Sequence, residues 1–506
     1  MRNLIGRIGL PKNRLKWLLS PGGTLSQQVV RGGFWVFALR IVDRLFSLAR
    51  TIVLARLLAP KDFGLFGIAL LAMSALETFS QTGFQQALIQ QKKDIRPYLD
   101  TTWTVQVIRG SVLALILFGI SPYVAAFFGE PAAAALLRVL GLSMLFQGFA
   151  NIGVVYFQKE LEFRKQFVFQ LSGTPVDFVV AITAALLLRN AWALIFGLLA
   201  ANFVRMVVSY LIHPYRPRVQ FEGAKVKELY SFGRWVLGSS VLVFLTTQGD
   251  DIFVGKFLGV TALGLYQLAY QISNMPATEI THVIAQVTFP TYSKLQNDLP
   301  KLGEAYLKVV QVTAFISTPL AGMIFILSRE FTHIFLGEKW LPIVPAMQIL
   351  VLAGLVRSVA GISGYVFQGM GSPKIDTILQ MIRLSVLAIA IYPLTTRWGI
   401  SGASLAVLLS ILVSGAGFGY MSIRITRCAI RELFKAVAFP IANGLIMVSV
   451  IYVTKSTLPT VGILQFVLSA AIGVMSYLAM TWVLDRFFNY GIYSIIRQSL
   501  RVLRGV

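Results

Sequence analysis

Apolar runs of roughly 20 residues, the length that crosses a hydrocarbon core as a helix, recur along almost the whole chain with short polar breaks between them. Their limits are about 32–57, 63–88, 101–128, 132–157, 166–188, 191–212, 232–258, 263–290, 305–328, 342–368, 376–395, 399–422, 434–454 and 461–484. This pattern predicts an all-α integral membrane protein with about 14 transmembrane helices.

The breaks alternate in charge, which sets the orientation. Of the 45 Lys and Arg, 29 fall in one set of connections, 8 in the other set and 8 inside the spans. The basic set includes the N-terminal segment, Lys92 to Arg96, Lys159 to Lys165, Arg216 to Arg234, Lys374, Arg424 to Lys435 and the C-terminal tail. Both termini are therefore predicted cytoplasmic.

Composition narrows the class further. The 506 residues are 56% hydrophobic and 13% charged, with a mean hydropathy of +0.73, which excludes a water-soluble enzyme. A net charge of +24 and a pI near 10.2 point to anionic membrane lipid as a partner, and not to nucleic acid. Cys428 stands alone, so no intrachain disulfide forms, and no His, Cys and Glu cluster has metal-ligand spacing; no metal or organic cofactor is expected. Residues 1–31 lack acids and a cleavable signal pattern and read as a basic amphipathic cytoplasmic segment. In the tail, 485–506, Arg497, Arg501 and Arg504 lie opposite Ile496, Leu500 and Leu503, as in a helix resting on headgroups, with a solvated tail as the alternative.

The chain also matches itself. The segment from Gly33 pairs with the segment from Gly233 without a gap, with identities at Gly33/Gly233, Trp35/Trp235, Leu45/Leu245, Ile52/Ile252, Gly64/Gly264 and Ala69/Ala269, and FFGEP at Phe127 is echoed by FLGEKW at Phe335. Six spans separate the copies, so the repeats run parallel about an axis along the membrane normal. The expected organisation is an N-lobe at 32–212, a cytoplasmic linker at 213–231, a C-lobe at 232–422, and an extra helix pair at 434–484. Two six-helix lobes are expected to flank a central cavity.

Ionisable side chains inside a bilayer cost at least ~2.5 to 3.5 kcal/mol on insertion scales, so each needs a cavity, a partner or a function. The cations are Arg40, Arg44, Arg50, Arg109, Arg138, Arg205, Arg357 and Arg383; the acids are Asp43, Glu77, Asp177, Asp250, Asp251 and Glu279. In the first span Arg40, Asp43, Arg44, Ser47, Arg50 and Thr51 form one stripe. Local pairing through Asp43 is one reading of it, but one carboxylate cannot neutralise two guanidiniums. The offset sets Arg50 at the depth of Asp250, so either a bridge between the lobes or a coupling-ion site at Asp250, Asp251 and Glu279 follows. Amide stripes occupy the second span (Glu77, Gln81, Gln85) and the eighth (Gln267, Gln271, Asn274, Thr278, Thr281, His282). They suit sugar hydroxyls, or serve helix contacts. Pro276 marks a hinge beside the eighth-span stripe.

LLAPKDFGLFGIA after the first span, FLGVTALGLYQLAYQISNMP at the repeat, FPTYSKLQND closing the eighth span and FQGMGSP closing the tenth resemble the polysaccharide transporter family, the Wzx-type flippases of the multidrug/oligosaccharidyl-lipid/polysaccharide exporter superfamily. The resemblance implies export of polyprenyl-pyrophosphate-linked oligosaccharide repeat units, precursors of O-antigen or exopolysaccharide, across a bacterial inner membrane. It also implies alternating access coupled to H+ or Na+, with Asp250 and Asp251 as the positions matching an acid on the seventh span of related flippases. An association with polysaccharide polymerase machinery stays open. On this reading Arg40 and Arg44, with Arg50 and Arg357, hold the pyrophosphate. Asp43, Glu77, Gln81, Gln271 and Asn274 complete the substrate site. The alternatives are a cation-coupled multidrug exporter, disfavoured by surplus positive charge, and a membrane polymerase or glycosyltransferase, disfavoured by short outward loops and the lack of a nucleophile/base pair.

Overall fold

The computed structural model describes residues 25–81, 83–90, 94–160, 162–457, 462–488 and 490–492. The expected amphipathic stretches at 1–24 and 493–506, with Arg497, Arg501 and Arg504, lie outside them, as do the side chains of Arg40, Pro276, Thr278, Glu279, Thr281 and His282.

Among the described residues the chain is helical and contains no strand. The helices are α1 (Leu25–Leu57), α2 (Pro60–Phe79), α3 (Phe84–Gln90), α4 (Arg96–Phe128), α5 (Ala132–Phe149), α6 (Val155–Lys159), α7 (Phe163–Leu171), α8 (Gly173–Leu188), α9 (Trp192–Ile212) and α10 (Gly223–Phe257). They continue with α11 (Val260–Leu295), α12 (Leu299–Phe331), α13 (Val344–Gly369), α14 (Pro373–Thr426), α15 (Ile430–Thr457) and α16 (Ile463–Phe488). Ten segments among the described residues are long and apolar enough to cross a membrane. At 54 residues α14 would run about 80 Å if straight. It breaks at Trp398 and Gly399, where Gly399 adopts a φ of 55°, so its two parts, 373–397 and 400–426, are each one bilayer long. The helices α1, α10 and α11, with 33, 35 and 36 residues, are long enough to span but are interrupted by the polar stripes.

The pattern of exposure is that of a lipid-solvated bundle. Leu115, Leu187, Leu211 and Ile389 are each more than two-thirds exposed, while buried hydroxyls bond back into their own helices, as Thr102 does to the Tyr98 carbonyl and Thr104 to that of Asp100, each at 2.8 Å. Without water, a polar group inside must find such a partner.

The chain divides into two compact units at Gly264/Leu265. In the first, α5 packs on α4 and α2, α9 on α5 and α8, and α8 on α1, while α10 packs on α2 and α3. The helix that heads the second repeat therefore belongs to the first unit. Pro60 opens α2, and the Asp62 carboxylate accepts from the Ala59 amide at 2.9 Å. There α2 meets the first turn of α11 in a reciprocal contact. A Cβ on Gly64 would sit 1.8 Å from the Val260 carbonyl oxygen, and one on Gly264 would sit 2.1 Å from that of Pro60. Residues 60 and 64 face 264 and 260, so the identical glycines of the repeat meet each other's helix at matching register. The start of the expected linker, 213–222, is an extended strap along the ends of α4 and α5. Asp100 Oδ1 accepts from the Tyr215 hydroxyl (2.6 Å) and the Arg218 amide (2.7 Å), and Asn151 Nδ2 donates to the Tyr215 carbonyl (2.7 Å).

In the second unit α13 packs on α12 and α14, and α12 on α15, which carries α16. Its core gathers Tyr292, Tyr306, Val310, Ile362, Phe367 and Phe418. A smaller cluster of Leu327, Met447, Ile451 and Tyr477 fixes the extra pair α15 and α16 to α12.

Candidate functional site

The polar end of α2, the turn after it, and the facing sides of α4 and α5 enclose a cavity of about 270 Å³ in the first unit. Glu77 arrives from α2, Gln81 from the turn after it, Gln85 from α3, Gln106 and Arg109 from α4, and Gln147 from α5. The α4 residues are one helical turn apart, which puts both on the cavity side. The Arg109 guanidinium donates to the Glu77 carbonyl (Nη2, 2.9 Å) and to Ser80 Oγ (Nη2, 2.9 Å; Nε, 3.1 Å). These acceptors are the loose carbonyl end of α2 and a neutral hydroxyl, and the Glu77 carboxylate that lines the same cavity lies within electrostatic reach of the guanidinium. Gln106 Nε2 donates to the carbonyls of Gln147 (2.9 Å) and Gly148 (3.1 Å). Gln81 Oε1 accepts from Ser240 Oγ of α10 at 2.6 Å.

Gln85, Gln106 and Gln147 also border a second cavity, of about 280 Å³, that continues past Asn151, Gln158, Gln166, Gln170, Asn202 and Arg205. Its Gln158 and Gln166 lie next to the basic connections at 159–165. The two spaces share a wall of amides and extend the polar lining from the basic end of the unit toward Glu77.

The stripe of α1 points elsewhere. Arg50 Nε meets Asp177 Oδ2 of α8 at 2.8 Å, with the two side chains 17% and 21% exposed. Asp43 Oδ1 accepts from Thr174 Oγ1 of α8 at 2.8 Å, and Arg205 Nη1 of α9 donates to Asn202 Oδ1 at 3.3 Å. Arg205 lies within electrostatic reach of both Asp43 and Asp177. Two guanidiniums and two carboxylates on α1, α8 and α9 thus form a cluster of zero net charge, which keeps the desolvation cost of each member compensated.

The structure therefore brings Glu77 and Gln81 into one cavity and places Asp43 and Arg50 in the neighbouring neutral cluster. Arg44 is half-buried on α1 and engaged by other groups. On α10 Asp250 is buried and Asp251 half-buried, both engaged; the carboxylate on Arg50 is that of Asp177. In the second unit Gln271 is exposed and Asn274 half-buried on α11. Arg357 lies in a separate cavity of about 220 Å³ between α13 and α14, with Nη1 donating to the Tyr270 hydroxyl at 2.9 Å. Sequence reasoning singled out Arg109 and Arg205 as intramembrane cations but passed over Gln106, Gln147, Gln158, Gln166 and Gln170. Their signal was available as amides recurring inside or at the edge of apolar spans.

Outside the spans, His213 on the strap stacks on Tyr156 at 5.6 Å with an interplanar angle of 2°. Its Nδ1 accepts from the Tyr215 amide at 3.2 Å. Burial, with help from Lys165 and Arg216 and against Glu162, holds its imidazole below the usual histidine pKa.

The chain matches a family model described as polysaccharide biosynthesis protein over residues 53–345. It is 28% identical over 355 residues to the lipopolysaccharide biosynthesis protein WzxC of Escherichia coli K12, covering 70% of this chain and 72% of that one. Identity is 26% over 301 residues to the succinoglycan biosynthesis transport protein ExoT of Rhizobium meliloti, covering 60% and 61%. Among solved structures, the lipid II flippase MurJ in an inward closed conformation superposes with a TM-score of 0.72 at 15% identity, covering 89% of this chain and 99% of that one. An inward-facing multidrug MATE transporter of the MOP superfamily superposes at 0.58 with 16% identity, covering 82% and 98%. The last two share the fold alone. The match over more than half of its length places this all-helical, multi-pass chain in the polysaccharide biosynthesis protein family.

Proposed function

We propose that the protein moves a polyprenyl-pyrophosphate-linked oligosaccharide from the cytoplasmic to the outer leaflet of a bacterial inner membrane. Reading α1, α10 and α11 as spans, and α14 as two, gives fourteen crossings with both termini cytoplasmic. The amide path enters from the side that carries the basic connections.

The observation that carries this reading is the lining of the first unit's cavities. Gln and Asn offer both donors and acceptors without charge, and sugar hydroxyls need both, since an unpartnered hydroxyl out of water costs several kcal/mol. Arg109, hydrogen-bonded to neutral acceptors with the Glu77 carboxylate within electrostatic reach, supplies a cation for the pyrophosphate at the inner end of that path. The prenyl chain stays in lipid. An interior negative potential drives a negative headgroup outward by ~2.3 kcal/mol per charge per 100 mV, and H+ or Na+ entry at Asp250 and Asp251 resets the carrier. A multidrug exporter shares the fold but gains little from a wall of glutamines.

The test is Arg109→Gln, scored by which leaflet holds the lipid-linked repeat unit. Outward delivery should fall about tenfold or more, the loss of one charge-assisted contact, with protein yield unchanged. Normal delivery by this variant would overturn the assignment of the pyrophosphate to this cavity. Delivery rates indifferent to imposed H+ and Na+ gradients would remove the coupling.

A further inference from the structure

The second cavity of the first unit and the cavity of the second unit are lined from the same positions of the duplicated sequence. Gln147, Gln158, Gln166 and Gln170 line the former. An offset of 210 residues converts them to Arg357, Gln368, Asp376 and Gln380, which line the latter. Four further lining positions between them, 150, 151, 154 and 155, map at the same offset onto 360, 361, 364 and 365. The cavity, and not only the helices, is duplicated.

The copies keep a guanidinium at the same place but deliver it from different helices. In the first unit position 173 is glycine, and the Arg205 side chain from α9 lies over it, its Nε 2.7 Å from where a Cβ would stand. In the second unit the counterpart of Gly173 is Arg383, buried on α14, and the counterpart of Arg205, one residue off the same offset, is Ser414, whose hydroxyl turns back to its own helix at the Ile411 carbonyl (3.2 Å). Where one helix gives up bulk, the other supplies the arginine.

Two positions then set the copies apart in charge. Gln147 becomes Arg357 and Gln166 becomes Asp376, so the second unit's cavity is lined by two guanidiniums and one carboxylate. The Arg357 guanidinium bonds the neutral Tyr270 hydroxyl at 2.9 Å and lies 5.7 Å from the centre of its ring. In the first unit Arg205 belongs to the neutral cluster with Asp43, Arg50 and Asp177, leaving a wall of uncharged amides. Gln368 and Asp376 stand at the helix ends beside Lys374, while Arg357 is twelve residues deeper than Gly369, about 18 Å along the helix.

We infer that the cavity of the second unit is an oxyanion site that takes a phosphate group through Arg357 and Arg383, whereas its duplicate takes uncharged hydroxyls. Paired guanidiniums match phosphate oxygens, and a low dielectric strengthens the contact. Identification of that phosphate with the lipid-linked diphosphate rests on the transport reading above and makes this a second diphosphate station besides Arg109; the preference for an oxyanion does not rest on it.

The test uses the full chain in phosphatidylcholine nanodiscs, with a sugar-free polyprenyl diphosphate and inorganic phosphate as probes. Arg357→Gln, which installs the first unit's residue, and Arg383→Gly should each weaken diphosphate binding about tenfold. Adding Ser414→Arg to Arg383→Gly copies the first unit's arrangement and should restore binding, which separates charge from misfolding. Wild-type affinity in both single variants, with lipid-linked oligosaccharide still delivered, overturns the oxyanion site and leaves the flippase reading intact. Arg357-dependent binding of inorganic phosphate in a chain that neither binds nor delivers the lipid-linked substrate overturns the flippase reading and upholds the site, with free phosphate as its ligand.

Discussion

The reciprocal contact between α2 and α11 gives a sharp prediction, because both sides are backbone and neither can yield by rotating a side chain. Gly64→Ala places a methyl 1.8 Å from the Val260 carbonyl oxygen, where real contacts do not fall below 3.0 Å, so the helices must separate by more than 1 Å at that point. The neighbours on both helices, among them buried Leu65, Ile68 and Leu263, lose contact over the same distance. Overpacking of this kind costs about 1–3 kcal/mol when side chains can adjust, and the rigid carbonyl puts this case at about 3. For a unit of this size that is a fall in melting temperature of roughly 6 °C or more. Gly264→Ala, 2.1 Å from the Pro60 oxygen, should cost nearly as much. The double variant should cost clearly less than the two together, since once the helices have parted the second methyl finds room. Gly119→Ala, where the added Cβ meets nothing within 4 Å, is the control and should be neutral or slightly stabilising, by about 0.5 kcal/mol for a glycine in a helix. Thermal unfolding of purified protein followed by tryptophan fluorescence measures all four. A Gly64→Ala melting point equal to that of Gly119→Ala, or full additivity in the double variant, would refute the contact.

The ion pair of Arg50 and Asp177 makes a second prediction: removing either partner alone should destabilise by about 3 kcal/mol or more, since it leaves an uncompensated charge. The exchange Arg50→Asp with Asp177→Arg should recover most of the loss, and equal thermal stability of single and exchanged variants would dismiss the pair. His213 makes a third. Its folded pKa is depressed, so the unfolded chain binds the proton first; stability is complete above about pH 6.5 and declines as pH falls from there toward the lower folded pKa. Protonation of Nδ1 also removes the acceptor for the Tyr215 amide. His213→Gln should flatten the stability profile between pH 5 and 7, and an unchanged slope would assign it to other groups.

The membrane-crossing helices and the family were legible in the sequence because lipid leaves the chain few choices: apolar length and helix-end motifs report on a helix without reference to its neighbours. The side-chain partners were not. The period of α1 shows that Asp43, Arg44, Ser47 and Arg50 share a face, but nothing local says that Asp177, 127 positions after Arg50, faces it. The offset of the first repeat suggested Asp250 as the counterpart of Arg50, since register in a repeat is a statement about depth and not about contact. The amides of the cavities were passed over for a related reason. A glutamine in a span reads equally well as helix contact or as lining, and only the packing of α4 on α5 shows that Gln106 and Gln147 close the same space.

The separation of charges from amides in the first unit bears on what a carrier of this kind requires. A transported headgroup must be held well enough to leave water and loosely enough to leave the protein. A hydrogen bond between neutral groups contributes about 0.5–1.5 kcal/mol net, and one to a charge about 1.5–3. A path lined by many cations would accumulate contacts of the second kind and retain its anionic cargo. The Arg50, Asp177, Asp43 and Arg205 cluster limits this by setting its two arginines against two acids at the contacts among α1, α8 and α9, even where Arg205 borders the second cavity. That leaves the amides to offer many shallow contacts along the path and Arg109 to supply a single stronger one at its end. Converting Gln106 or Gln147 to lysine should therefore tighten binding of a polyprenyl-diphosphate oligosaccharide while slowing its delivery to the outer leaflet. Faster delivery with tighter binding would show that release from these cavities does not limit transport, and the rationale for their neutrality would fail.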